Sequence, residues 1–585
     1  MALSWAANDA PSGGRFPGEV VTFLDGVVYD DRGLGSAEPG GVSLLDPDGE
    51  HRCRRLRGDF VLLQYSPERA QGAIARDHLG GRSLVWHYDG TRLAFASEVR
   101  HLLRMLDARP APDHTAVSHW LALSAPPANR TMYAGVHRLP AGHVLRFGAS
   151  PPTVRRYWTP AYRPVRRGSV DEHVSGLRAV LAEAVRRRCS ASGDTGVLLS
   201  GGLDSSTVAA LATGLEPGRR PTRAYSATFP AHPTVDEGEL IDLLGRQLGL
   251  TGTRVAVRSG SVLAGAVGYI EHWQVPPLSP NLFFWLPLLH RARADGVAAL
   301  LDGEGGDELF GLSPYLMADR LRRGRVAAAR RLARTVPGGG PHVDGAALWR
   351  LLREFGVKGA APAWLHDSVR RWRGADRYTP AWLRPHVQRA FAESDLATEW
   401  KRLPGPRWWA YLVTATAQGL APAAAYDHIR RRAALAGLEA RHPLVDVDVI
   451  DFALGLPPDL AYDTRHSRPV LREAMDGLLP DEVRLRPTKS SFDAIFHEAL
   501  TGDDLPVARA LLRPGEAEVG AYVDLELVEN RLLANPPPPG GRMEWAIHLW
   551  RLLTAECWLR AQSHPTDVAA WRLPPLAVPQ LALSR

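Results

Sequence analysis

Ser200-Gly201-Gly202-Leu203-Asp204-Ser205-Ser206 follows the apolar run Val197-Leu198-Leu199 and leads into Thr207-Val208-Ala209. This reads as a strand, a glycine turn and the start of a helix. Two glycines let the backbone pass close to an anion, and serine hydroxyls with the N–H groups that open a helix can hold it. Asp204 adds a carboxylate, which beside a bound phosphate makes most sense as a Mg²⁺ ligand. The lysine of a Gly-x4-Gly-Lys-Ser/Thr loop is missing, which disfavours simple γ-phosphate transfer. A second stretch, Ala298 to Gly311, runs an apolar strand into a glycine-rich turn that presents Glu304, Asp307 and Glu308. Acids at the carboxyl end of a parallel strand stand where an open α/β sheet binds its ligand, so Asp204 and Asp307 form a candidate cradle for Mg²⁺ on a pyrophosphate. Further on come Tyr426-Asp427-His428, then Leu438 to Asp446, then Arg484 to Phe492 with Lys489. Lys489 can supply the mobile cation that chemistry at an acyl phosphate needs. A merely exposed loop lysine is the plain alternative.

Positioning these groups takes more than one domain. At 585 residues, 45% hydrophobic and 23% charged, the chain has the composition of a soluble globular protein too long for a single core. Residues 1–160 read as strand-rich with turn signals at Asp25-Gly26, Asp46-Pro47-Asp48-Gly49 and Asp89-Gly90. Over 169–561, strands and helices alternate in the manner of a parallel sheet covered on both faces. A basic helical insertion is expected at 316–400 and a loosely held tail at 562–585. The insertion's Arg320, Arg322, Arg323, Trp349, Trp364, Trp372 and Trp382 suit either a substrate wall or ordinary helix faces and core. The net charge of +7 falls at helical spacing among alanines and leucines, so it reads as solvated helix surface and not as a nucleic-acid site. No run reaches the length of a membrane span, and the start of the sequence does not read as a signal peptide. Cys53, Cys189 and Cys557 lie far apart with no metal or disulfide spacing, which fits a cytoplasmic setting.

Together these stretches resemble the asparagine synthetase superfamily, whose members carry SGGLDSS- and GEGxDE-like segments and later E-x-R-x-P-x-x-D and R-P-x-K-like segments. The N-terminal region is similar to the family's as well, at Leu56-Arg57-Gly58-Asp59-Phe60, Ala75-Arg76-Asp77, Phe95-Ala96-Ser97-Glu98 and Val136 to Gly142. The resemblance implies an N-terminal nucleophile-hydrolase-like αββα glutaminase domain and a C-terminal synthetase domain of the adenine-nucleotide α-hydrolase type, with a pyrophosphate loop. It implies ATP and Mg²⁺, with nucleotide contacts at Leu198, Ser200, Gly201, Gly202, Leu203, Asp204, Ser205, Ser206, Ala227 and Gly303, and metal contacts at Asp204 and Asp307. By position, Glu304 and Asp427 are candidates for the proton acceptor and Lys489 for the cation on the phosphates. The family's glutaminase uses a cysteine directly after the initiator methionine, where this sequence has Ala2. The thiol nucleophile is missing, so the domain is expected to be structural and ammonia is not the expected acceptor. Relatives without that cysteine include β-lactam synthetases and lasso peptide cyclases. Glu304 stands where β-lactam synthetases typically have tyrosine, and the long basic insertion suits a peptide, so the chain is most similar to the cyclases. The implied substrate is a leaderless core peptide, with a leader peptidase and a leader-binding protein as possible partners. A β-lactam synthetase-like or other small-molecule amide ligase is the alternative.

Overall fold

The computed structural model describes residues 12–15, 20–29, 43–46, 48–190, 194–337, 340, 344–373, 379–394, 398–418, 420–487, 492–537, 542–571, 573 and 580–584. Lys489 lies outside them.

The N-terminal domain is built on strands whose side chains alternate between two buried faces. Val61 and Leu63 of the strand Arg57–Ser66, with Ile74 of Gln71–Arg76, pack against Leu84, Leu93, Phe95 and Leu139. The intervening Leu62, Ala73 and Ala75 face Leu44, Cys53 and Tyr157 on the other side. Because successive side chains point to opposite faces, one sheet can bury both. It is a six-stranded antiparallel sheet ending in His143–Phe147 and Thr153–Arg156, and one face is covered by a three-stranded sheet containing Val85–Tyr88 and Leu93–Ala96.

The second domain opens at Ser169, whose hydroxyl accepts from the Glu172 N–H while the Glu172 side chain accepts from the Ser169 N–H, a capping box that starts the helix Val170–Arg188. Five parallel strands follow in the spatial order Glu439–Arg441, Ala299–Leu301, Thr195–Leu198, Arg223–Thr228, Thr251–Ser259. From Thr195–Leu198 the chain winds outward in one direction through the next two strands. It then crosses to the other side of Thr195–Leu198 to lay down Ala299–Leu301. The crevice between Thr195–Leu198 and Ala299–Leu301 is therefore a topological switch point, where loops at the carboxyl ends diverge and a ligand fits. The tail departs from its expected looseness: Gln580–Ser584 joins the sheet antiparallel to Thr251–Ser259, and Trp571 is buried with its indole N–H donating to the His564 carbonyl. The region 316–400 is helical, and Trp349, Trp364 and Trp372 stand 60, 66 and 83% exposed, so these three are not core. Trp382 is partly buried, edge-on to His548.

Ion pairs, deeply buried at Glu98, join the N-terminal domain to the rest of the chain. Glu98 of the N-terminal domain is fully buried, and Arg430 and Arg431 of the helix Leu420–Leu435 donate to it, Arg431 at 2.8 Å. Arg82 reaches Glu439 at 2.7 Å and Arg57 reaches Asp448 at 2.8 Å. Glu98→Gln removes the carboxylate that two largely buried guanidinium groups share, so it is expected to destabilise the fold by about 3–5 kcal/mol. Urea unfolding measures this, and an unchanged midpoint contradicts it.

Candidate active site

The strand Thr195–Leu198 is fully buried and ends where Leu199 N–H donates to Tyr225 O at 2.9 Å and Ser226 Oγ donates to Leu199 O at 2.6 Å. The turn that follows is closed by its own hydroxyls. Ser200 N–H donates to Ser205 Oγ at 3.1 Å, the two hydroxyls share a 2.8 Å hydrogen bond, and Ser206 Oγ donates to Gly202 O at 2.7 Å. Gly202 caps the helix Leu203–Thr213 without a side-chain bond to the first-turn N–H groups, which leaves them and the helix dipole for an anion. Leu198 is buried beneath the turn, and Ala227 is partly buried on the neighbouring strand.

The acidic turn meets this loop across the switch point. At Gly303 a Cβ would lie 2.4 Å from Ser205 N, so only glycine lets the two backbones touch. Gly305 holds φ +89° with room for no side chain beside Val445, and it starts the short helix Gly306–Phe310 that carries Asp307. Asp204 and Asp307 converge on one positive group: Arg468 Nη1 lies 2.5 Å from Asp204 and 2.9 Å from Asp307. Arg468 is a residue that the sequence reading missed. Its φ of +58° is a left-handed conformation costly for a non-glycine residue, and local strain of this kind collects at functional sites. The signal available was Pro469, which disfavours the right-handed helical region for the residue before it.

Glu304 stands in the cleft in a cluster of acids, histidine and tyrosine. Its N–H donates to Asp302 Oδ1 at 3.1 Å, and the same oxygen lies 2.8 Å from His442 Nδ1. The Tyr426 ring stacks on His442 at 5.8 Å. Glu304 opens to solvent at the mouth of the cleft, yet desolvation by the surrounding crevice and the nearby Asp302 push its carboxyl up to about 7, with His442 and Arg432 opposing. Burial alone would lower His442, but Asp302 outweighs it and raises the imidazole. Burial, with Glu308 and Glu304, raises the Tyr426 phenol. A carboxyl near 7 is suited to taking a proton at neutral pH.

Asp427 departs from its expected role. Its side chain is 1% exposed, 3.0 Å from Arg138 and 3.7 Å from Arg76 of the N-terminal domain. Burial would raise its carboxyl, but Arg138, Arg431, Arg76 and Arg430 hold it far below the usual range. Paired with arginines at the domain seam, it is a poor proton acceptor and lies away from the Glu304 cluster. Tyr426, one residue earlier, is the one on the Glu304 side. Arg486 donates to Glu237, whose other oxygen accepts the Gly201 N–H at 3.0 Å, and Lys489 lies outside the described residues. All three cysteines are buried, and burial pushes each thiol up to about 12, so none is a ready nucleophile.

If Glu304 is the working base, the rate of the step it serves is expected to climb about tenfold per pH unit below about 7 and level off above it, since only the ionised form accepts a proton. A pH–rate profile with no inflection between pH 6 and 8 contradicts this.

Comparison with known proteins now fits the geometry. The Asparagine synthase family profile matches residues 176–560, and a Glutamine amidotransferase domain profile matches 42–158. A putative glutamine-hydrolysing asparagine synthetase of Mycobacterium tuberculosis is 26% identical over 95% of this chain and 86% of its own length. Asparagine synthetase 3 of Bacillus subtilis is 23% identical over 76% of this chain and 69% of its own. Asparagine synthetase B of Escherichia coli is 26% identical over 46% of each. With a phosphate loop and an acidic turn meeting at the switch point of its sheet, and an amidotransferase-type domain fused in front, the chain belongs to the asparagine synthase family of ATP-dependent carbon–nitrogen ligases.

Proposed function

We propose that this chain closes a macrolactam in lasso peptide biosynthesis, joining an Asp or Glu side chain of a leaderless core peptide to the peptide's own N-terminal amine at the expense of ATP. The observation that carries this reading is the pairing of a phosphate loop and acidic turn with an amidotransferase-type domain, in a sequence whose three thiols are all buried and pushed up to about 12. Without a thiolate to release ammonia from glutamine, the acceptor amine has to come from elsewhere, and an amine on the substrate itself is the most accessible source. The exposed tryptophans of the helical insertion support a peptide-sized substrate, because exposed apolar surface marks interaction sites. A leader peptidase and a leader-binding protein would act upstream to supply the free amine.

In this mechanism residues 200–206 and the start of Leu203–Thr213 hold the triphosphate. A carboxylate oxygen of the peptide bonds to the α-phosphorus, the bond from that phosphorus to the pyrophosphate oxygen breaks, and an acyl-AMP remains. Asp204 and Asp307 would hold Mg²⁺. Their convergence on the single guanidinium of Arg468 supports this, since the pair already gathers one positive charge, and Mg²⁺ is commonly held by one or two carboxylates with phosphate oxygens completing the shell. The ion would screen charge on the departing pyrophosphate. Glu304 takes the proton from the attacking amine, and Lys489 balances charge on the phosphates. The amine attacks the acyl carbon, the amide forms and AMP leaves.

Incubation of the chain with candidate peptides, ATP and Mg²⁺ is expected to release pyrophosphate only when peptide is present. Glutamine is expected to yield no ammonia, and measurable glutaminase activity contradicts the reading.

A further inference from the structure

Arg432 lies further along the same helix as Tyr426, with its guanidinium carbon 4.1 Å from the centre of the Trp285 ring. It is 5% exposed, its Nε is enclosed without an acceptor, and it makes no hydrogen bond or ion pair with any described residue. Trp285 packs against the core cluster that includes Leu198, Leu300 and Ala433, so it lies by the strands whose carboxyl ends bear the phosphate loop and the acidic turn. Arg432 therefore borders the crevice. The charged and titratable groups near it are Glu304 and Asp302 of the acidic turn, Tyr269 on the helix Val262–Trp273 packed against it, and His428 one turn earlier on its own helix. Burial lowers the guanidinium to about 10, which leaves it cationic at neutral pH.

A buried guanidinium without a hydrogen-bonding acceptor is costly, and one that lies beside a ligand crevice can be completed by a bound anion. The nearby carboxyls do not complete it. Asp302 already accepts from His442 and the Glu304 N–H, and neither carboxyl makes a hydrogen bond or ion pair with the guanidinium. The chemistry that fits a planar, aromatic-backed guanidinium is a carboxylate.

We propose that Arg432 is the substrate-binding residue that receives the carboxylate to be activated, holding one oxygen while the other faces the α-phosphate, with Trp285 fixing the guanidinium plane. This rests on the ligase reading above, but its test needs no turnover. The full chain is titrated calorimetrically with N-acetyl-aspartate α-amide and N-acetyl-glutamate α-amide, whose sole anion is the side-chain carboxylate. N-acetyl-asparagine α-amide is the uncharged control. The expected result is that wild type binds a carboxylate probe at least tenfold more tightly than the control, and that Arg432→Met loses about 10–100-fold while Arg432→Lys retains part. Arg432→Met is also expected to unfold at a higher temperature, because it removes an unpaired buried charge. A lowered midpoint instead marks Arg432 as structural and overturns the proposal. Arg551, another buried arginine, stacked on Trp120 at 3.8 Å, supplies the control: Arg551→Met is expected to bind the probe as wild type does. Probe affinity within twofold of wild type in Arg432→Met, or no preference for carboxylate over carboxamide, also overturns the assignment. Probe binding that depends on Arg432 without pyrophosphate release on any peptide upholds the assignment and sinks the ligase reading. Pyrophosphate release indifferent to Arg432→Met does the reverse.

Discussion

Glu304→Gln is expected to leave the first turnover of pyrophosphate release intact while slowing amide formation by about 10²–10⁴-fold, the range general-base catalysis supplies. The two steps ask different things of this residue. Activation of the carboxylate transfers no proton, so a neutral isostere in the cleft serves nearly as well as the acid. Attack by the amine has to shed a proton, and a glutamine amide cannot take it. The turn that carries Glu304 should survive the change, since its geometry is set by Gly303, Gly305 and the Glu304 N–H to Asp302 bond. The variant should therefore show a burst of pyrophosphate, stalled acyl-AMP and a flat pH profile where wild type bends near 7. Rapid-quench measurement of pyrophosphate against cyclised peptide separates the steps. Equal loss of both contradicts a base role for Glu304.

Asp204→Asn is expected to act earlier and abolish both steps together, with pyrophosphate release falling by about 10²–10³-fold, because charge stabilisation by a bound cation amounts to several kcal/mol. The side chain keeps its shape but loses half of the carboxylate pair that converges with Asp307 on Arg468. The fold should tolerate it, since Asp204 lies at the rim of the crevice at the helix start and outside the core. Single-turnover assays over a Mg²⁺ titration test this. Wild-type rates at ordinary Mg²⁺ contradict the cradle, whereas rates rescued only by high Mg²⁺ support it.

What was legible in the sequence was local or topological. The strand, glycine turn and helix around Ser200–Ser206 read directly, because glycine pairs, serines and an apolar run each have one use there. The meeting of Asp204 and Asp307 followed from the alternation of strands and helices, since a parallel sheet brings its carboxyl-end loops to one edge. What stayed hidden depended on orientation and on long-range approach. Tyr426 and Asp427 are neighbours on a helix, where one step turns the side chain by about 100°. Sequence position alone could not say which faces Glu304 and which faces the arginines of the other domain. Arg468 reaches Asp204 from far along the chain, with Pro469 as the sole hint. The tail strand Gln580–Ser584 is short and follows prolines, and its pairing partner is the edge of a sheet no local pattern identifies.

The central claim is tested most directly by intact-mass analysis of a leaderless Asp- or Glu-containing core peptide after incubation with the chain, ATP and Mg²⁺, with the nucleotide products assayed in the same tube. The account expects AMP and pyrophosphate in step with a peptide lighter by one water, with no requirement for glutamine or ammonium. Conversion of free aspartate to asparagine with glutamine or ammonium as the nitrogen source, while the peptide mass stays unchanged, would contradict it.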